Sequence, residues 1–158
     1  MKLYLVRNIG DCEDRYSVFD NKGNEKYTIT GKYGLLGDVM RINDKQGNRL
    51  FKILQSSSAL PITVYNLSGN GERIHLIFNN MRKSYSLMNI SWYILGMAPQ
   101  YEIIDADKTV IMRQTADPTG NGYMLEISCE QRELLCLAIA VCLNSISTIQ
   151  QPKIAFQS

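Results

Sequence analysis

Apolar and polar residues alternate in short runs along most of this chain: Tyr16-Ser-Val18, Tyr27-Thr-Ile29, Ile62-Thr-Val64 and Ile74-His-Leu76-Ile-Phe78. A period of two marks a strand with one face on a core and the other in water. The runs are punctuated by a recurring turn. Asp20-Asn-Lys-Gly23-Asn24 and Asp44-Lys-Gln-Gly47-Asn48 share D-x-x-G-N, each followed by an aromatic and then an isoleucine (Tyr27 and Ile29, Phe51 and Ile53). Asn66-Leu-Ser-Gly69-Asn70 and Asp117-Pro-Thr-Gly120-Asn121 are looser copies, and Asp105-Ala-Asp-Lys-Thr109 holds an equivalent place without the glycine. The leading Asp caps the turn's own amides, and Gly supplies the positive φ that lets two twisted strands pair. The pattern predicts twelve strands, at about 2–7, 15–19, 26–32, 38–43, 49–55, 62–67, 73–79, 84–89, 91–97, 101–105, 109–115 and 122–128.

The pattern then changes. Leu134 to Leu143 is ten residues without a charge, inside a predicted helix from about Gln131 to Ser147. Ser128 is a candidate N-cap with Gln131 at capping-box spacing, and Glu130 and Glu133 sit at the end where the helix dipole favours negative charge. A membrane span needs about 20 apolar residues, so this segment predicts a core helix instead. A helix apolar on every side must be surrounded. A barrel of about twelve strands is too wide to be filled by its own side chains, and a helix about 10 Å across would fill it. Small residues (Cys136, Ala138, Ala140, Cys142) let the wall approach. The expected fold is therefore mainly β: a twelve-stranded antiparallel closed barrel around a central C-terminal hydrophobic α-helix. One domain is expected over 1–147, with its helix at about 130–147, followed by a tail over 148–158. With the axis filled, a ligand site belongs on the outer wall or at the loop ends.

The hairpin repeat, the segments Tyr16 to Gly37, Trp92-Tyr-Ile-Leu-Gly96 and Tyr101-Glu-Ile-Ile-Asp105, and the closing Glu133 to Ile146 together resemble the Tubby C-terminal-like superfamily. The likeness is to its small bacterial YxjI-type and plant LURP-one-related members, with phospholipid scramblases as distant relatives, and covers about residues 2 to 147. Such helices often end in an acidic residue where this chain has Asn144. The resemblance implies the same barrel around a central helix. It implies little about activity, since Tubby-like domains bind phosphoinositide head groups through basic surface residues, scramblases act at membranes, and the small bacterial members share no agreed activity.

Composition narrows the picture mostly by exclusion. A hydrophobic fraction of 45%, a charged fraction of 20% and a net charge of +2 are ordinary for a folded domain. The longest Lys/Arg run is Arg82-Lys83, too short to track nucleic-acid phosphates. The four cysteines (Cys12, Cys129, Cys136, Cys142) lack C-x-x-C spacing, and the N-terminus has no signal-peptide pattern. Reduced thiols in a cytoplasmic protein are expected, with no metal and no cofactor.

Catalytic chemistry finds no footing. His75, the one histidine, alternates with Ile74 and Leu76 and so faces away from the core. No residue sits in a G-x-S-x-G elbow. Asp11-Cys-Glu13-Asp14 and Asp20-Asn-Lys-Gly23 lack calcium-loop order, and Gly69-Asn-Gly71 lies between strands instead of opening a helix, so all three are turns. The candidates for an anionic head group are Arg73, Arg82 and Lys83. The expectation is a non-catalytic binding or regulatory module, engaging anionic phospholipid or a protein partner at the outer barrel surface and then peripheral to the membrane. The alternatives are an assembly protein with Leu35, Leu36 and Trp92 exposed at an interface, or an enzyme with a site at the loop ends.

Overall fold

The computed structural model describes residues 1–8, 14–31, 39–59 and 61–150. Twelve strands precede one long helix: β1 (Lys2–Arg7), β2 (Asp14–Asp20), β3 (Glu25–Gly31), β4 (Val39–Asn43), β5 (Arg49–Ala59), β6 (Ile62–Gly69), β7 (Glu72–Asn79), β8 (Ser84–Met88), β9 (Trp92–Met97), β10 (Gln100–Asp105), β11 (Val110–Ala116), β12 (Gly122–Ile127) and α1 (Glu133–Gln150). A 3₁₀ turn, Glu130–Arg132, links β12 to α1. All strands pair antiparallel in one sheet, in the order β8-β7-β6-β5-β4-β3-β2-β1-β12-β11-β10-β9. That order is a ring opened between β8 and β9, so the sheet is a nearly closed barrel with its seam there.

The alternating apolar residues point inward. Tyr16, Val18, Tyr27, Ile29, Phe51, Ile53, Ile74, Leu76 and Phe78 are all buried. The turns between them work as the D-x-x-G-N pattern requires. Asp20 Oδ1 accepts the Lys22 and Asn24 amides at 2.9 and 3.0 Å, and Asp44 Oδ1 accepts those of Gln46 and Asn48 at 2.9 and 2.8 Å. These donors hold both carboxyls below the ordinary carboxylate range. Asp105 makes the same two bonds to Asp107 and Thr109, both at 2.9 Å, with Lys108 in place of glycine at φ +66°. The copy beginning at Asn66 is different: Asn66 lies within β6, opposite His75. There the turn is Asn70-Gly71, with φ of +50° and +76°, the two-residue hairpin whose twist matches its strands.

The helix fills the axis. Every residue from Leu135 to Ile146 is at most 2% exposed. One polar cluster fixes its rotation. Gln114 Nε2 donates to Asn144 Oδ1 at 2.8 Å and to the Pro99 carbonyl at 3.0 Å, and Asn144 Nδ2 donates back to Gln114 Oε1 at 3.1 Å. Tyr101 OH donates to the same Gln114 oxygen at 3.0 Å. Asn144 thus ties the helix to β11 and, through Tyr101, to β10, and a buried network of this kind admits one geometry.

The helix entrance departs from expectation. Ser128 does not cap it. Its backbone still pairs with β11, so its hydroxyl donates to the Val110 and Ile111 carbonyls at 2.8 and 3.1 Å before the chain turns inward. Cys129 precedes the 3₁₀ turn without a side-chain cap. Glu133 instead reaches the wall, accepting from Lys26 Nζ at 2.9 Å and from Tyr27 OH. At the other end α1 runs to Gln150, past the expected end at 147. Residues Asp11 to Glu13 of the acidic loop, Leu35, Leu36 and the chain from 151 onward lie outside the described residues.

Candidate functional site

Filling the axis leaves the outer wall, and its charge is unevenly spread. Residues 39–88, spanning β4 to β8, carry seven basic side chains and two acidic ones, Asp44 and Glu72. Within the five strands themselves the one acid is Glu72, and it is bound to Arg132 at 2.8 Å.

The strand register assembles the cations. Arg41 lies opposite Lys52, Lys52 opposite Ser68, and Ser68 opposite Arg73. Their neighbours Met40, Ile42, Phe51, Ile53, Leu67 and Ile74 are buried, so this row faces outward. Arg41 and Arg73 are exposed and Lys52 is half-buried. At about 4.8 Å between strands, the row spans about 15 Å. Like charges directly opposite each other destabilise a sheet, and no described residue forms an ion pair with any of the three.

Half a turn around the ring, six strands away, a second outward row reads Lys2, Glu126, Arg113, Glu102 across β1, β12, β11 and β10. There signs alternate, and Arg113 binds Glu102 through Nε and Nη2 at 2.9 and 2.6 Å. An open depression of about 300 Å³ beside this row is lined by Lys2, Val110, Ile111, Arg113, Glu126 and Ile127. Its arginine is already committed to Glu102. The two sides of one barrel thus differ: one neutralises its charge and the other leaves it for something else.

The sequence candidates are only partly brought together. Arg73 belongs to the row, whereas Arg82 and Lys83 lie in the turn between β7 and β8. The six residue steps from Arg73 to Asn79 run away from the row, placing this turn about 20 Å along the wall. Arg41 and Lys52 were not singled out from sequence; they become neighbours only through the register. His75 faces outward as expected, half-buried and hydrogen-bonded through Nδ1 to Asn66 Oδ1.

Trp92 requires a correction. It is 8% exposed, beneath the Arg132 guanidinium, which lies 5.0 Å from its ring centroid. As the first residue of β9 it takes the inward phase, and the outward positions Tyr93, Leu95 and Met97 are the exposed ones, at 56%, 48% and 41%. Cys136 and Cys142 are buried free thiols, and burial pushes Cys136 up to about 12. Among the described residues no three His, Cys, Asp or Glu side chains converge as a metal site requires, and no helix is long and apolar enough to cross a membrane.

Comparison with known proteins follows the architecture. The LURP-one-related family model matches residues 1–144. The uncharacterized protein YxjI of Bacillus subtilis (strain 168) is 21% identical over 152 residues, 92% of this chain and 93% of its own length. An X-ray structure of a protein from Arabidopsis thaliana matches with a TM-score of 0.56 over 90% of each chain at 11% identity, a likeness of fold. Neither the family's description nor these relatives' names indicate a catalytic activity. The chain belongs to the LURP-one-related family.

Proposed function

We propose that this chain is a non-catalytic binding module that engages a phosphate-bearing anionic partner on the outer wall of β4–β7. The observation that carries this reading is the row Arg41–Lys52–Ser68–Arg73, in which two cations face each other directly without an ion-paired acid. Such a pair weakens the empty protein and is relieved when an anion bridges it. Arg and Lys are complementary in this role: the guanidinium fork binds phosphate oxygens in a fixed plane, and the ammonium adds a mobile point charge. Ser68, between Lys52 and Arg73, adds a hydroxyl donor at the centre. Arg82 and Lys83 serve the same wall from its far end.

Titration calorimetry with inositol hexakisphosphate, a soluble dense polyphosphate, tests the reading. Binding is expected to weaken as salt rises, because exposed charges are screened over about 8 Å at physiological ionic strength. The triple variant Arg41→Gln/Lys52→Gln/Arg73→Gln should keep the parent's melting temperature or raise it, and lose at least about tenfold in affinity. Absence of salt-sensitive binding, or an unchanged affinity in a folded triple variant, would remove the proposal.

A further inference from the structure

Two asparagines of the chain precede a glycine, in Asn70-Gly71 and Asn121-Gly122. Such a pair is reactive in itself. The backbone nitrogen after an asparagine can attack the side-chain amide carbon, and only glycine leaves that approach clear of a Cβ. Both pairs lie at hairpin turns of one barrel, yet the fold treats them oppositely.

Asn70 and Gly71 are the whole turn between β6 and β7: Gly69 pairs with Glu72, and the two residues between them pair with nothing. Both are exposed, and a Cβ built on Gly71 meets nothing within 4 Å. Among the described residues, no hydrogen bond engages the Asn70 side chain or the Asn70–Gly71 peptide. The other pair is clamped. The Asn121 carbonyl accepts the Arg7 amide at 2.8 Å, and the Gly122 carbonyl accepts the Asp117 amide at 2.9 Å. Gly122 is buried opposite Val6 of β1, where a Cβ would lie 1.7 Å from the Leu5 carbonyl oxygen. Ring closure turns the Asn–Gly peptide plane toward the side chain, so at Asn121 the β1–β12 ladder must open first.

We propose that Asn70 is a self-deamidation site whose product carboxylate lowers the anion affinity of the neighbouring cation row. The Gly71 nitrogen gives its proton to solvent hydroxide and bonds to Asn70 Cγ, the Cγ–Nδ2 bond breaks, and ammonia leaves. Water then opens the resulting succinimide at either carbonyl, giving aspartate or isoaspartate. Either product adds one negative charge about 7 Å along the hairpin from the Ser68–Arg73 pair, within the screening length of about 8 Å. Glu72, the acid already there, is bound to Arg132. Isoaspartate also adds one backbone atom to a turn whose two-residue length fixes the β6–β7 register. The wall thereby moves toward the self-neutralised state of the opposite side, without an enzyme. The chemical step stands alone; its effect on affinity rests on the anion-binding reading above.

Peptide mapping of the folded full chain, held at mildly alkaline pH, reads the conversion at each asparagine. Aspartate and isoaspartate should accumulate at Asn70 at least about tenfold faster than at Asn121, and the two rates should converge in denaturant. Equal rates in the folded chain, or no conversion at Asn70 where the denatured chain converts, overturns the site. Hexakisphosphate affinity should fall about threefold as Asn70 converts, and Asn70→Asp should show that loss at once. Asn70→Gly, which suits the φ of +50° and cannot deamidate, should keep its affinity through the same incubation. Unchanged affinity in the converted parent or in Asn70→Asp, while fresh parent binds hexakisphosphate, overturns the link to the row. Failure of the fresh parent to bind overturns the anion-binding reading and the link with it, while the mapping still decides the site.

Discussion

At the scale of single residues, the most constrained position is not on the surface. Gln114 is 1% exposed and Asn144 fully buried, and each supplies the other's hydrogen bonds in the middle of an apolar core. A buried amide left without its partner costs the full desolvation of that group. Gln114→Leu is therefore expected to destabilise the fold by about 2 kcal/mol and lower the melting temperature by several degrees, as read by circular dichroism. An unchanged melt would mean the pair contributes nothing. This pair was not visible in the sequence. The two residues are thirty positions apart, and Asn144 there stood out only as a departure from an acidic family position. His75 was legible, because alternation with Ile74 and Leu76 leaves it one direction to face.

At the scale of elements, the local pattern was nearly sufficient. Twelve strands were readable because apolar–polar alternation is punctuated by turns, four of which are held by an Asp that binds its own amides. Where the reading failed, a tertiary contact had replaced a local one. Ser128 has cap chemistry, but strand β11 claims its hydroxyl first. Asn66 has turn chemistry too, but it lies in the predicted strand 62–67, and the hairpin turns at Asn70-Gly71 instead. The helix was legible from composition alone, since nothing but enclosure explains apolarity on every side. Ala140 lies at that enclosed axis with no measurable exposure. Ala140→Asp would bury an unpaired carboxylate there, a cost well above the usual stability margin of a domain this size once packing is disturbed. The expected outcome is a chain that expresses without a cooperative thermal transition, and a soluble variant with a normal melt would contradict the filled-barrel account.

At the scale of the whole molecule, the proposed function depends on how the ring sorts charge. The alternating row on β1, β12, β11 and β10 neutralises itself, while the row on β4–β7 does not. Sequence proximity could not reveal this. Arg41, Lys52 and Arg73 are joined only by successive registers, and an irregularity between Ile42 and Asn43 shifts any count made outward from the Asp44 turn by one residue. The inward phase of Ile42 and Phe51 corrects the count, so the signal lay in the alternation and needed the pairing to be used. Of the sequence candidates, Arg73 joins this row at the start of β7, while Arg82 and Lys83 lie in the turn beyond its end.

The most direct measurement is chemical-shift mapping of the ¹⁵N-labelled protein during titration with hexakisphosphate. The expected result is a saturable set of backbone and Ser68 perturbations centred on Arg41, Lys52 and Arg73 on β4–β7, with the Lys2, Glu126, Arg113 and Glu102 row unmoved. Perturbations centred on that neutral row, or no saturable shift at any residue, would contradict the assignment of function to the unneutralised wall.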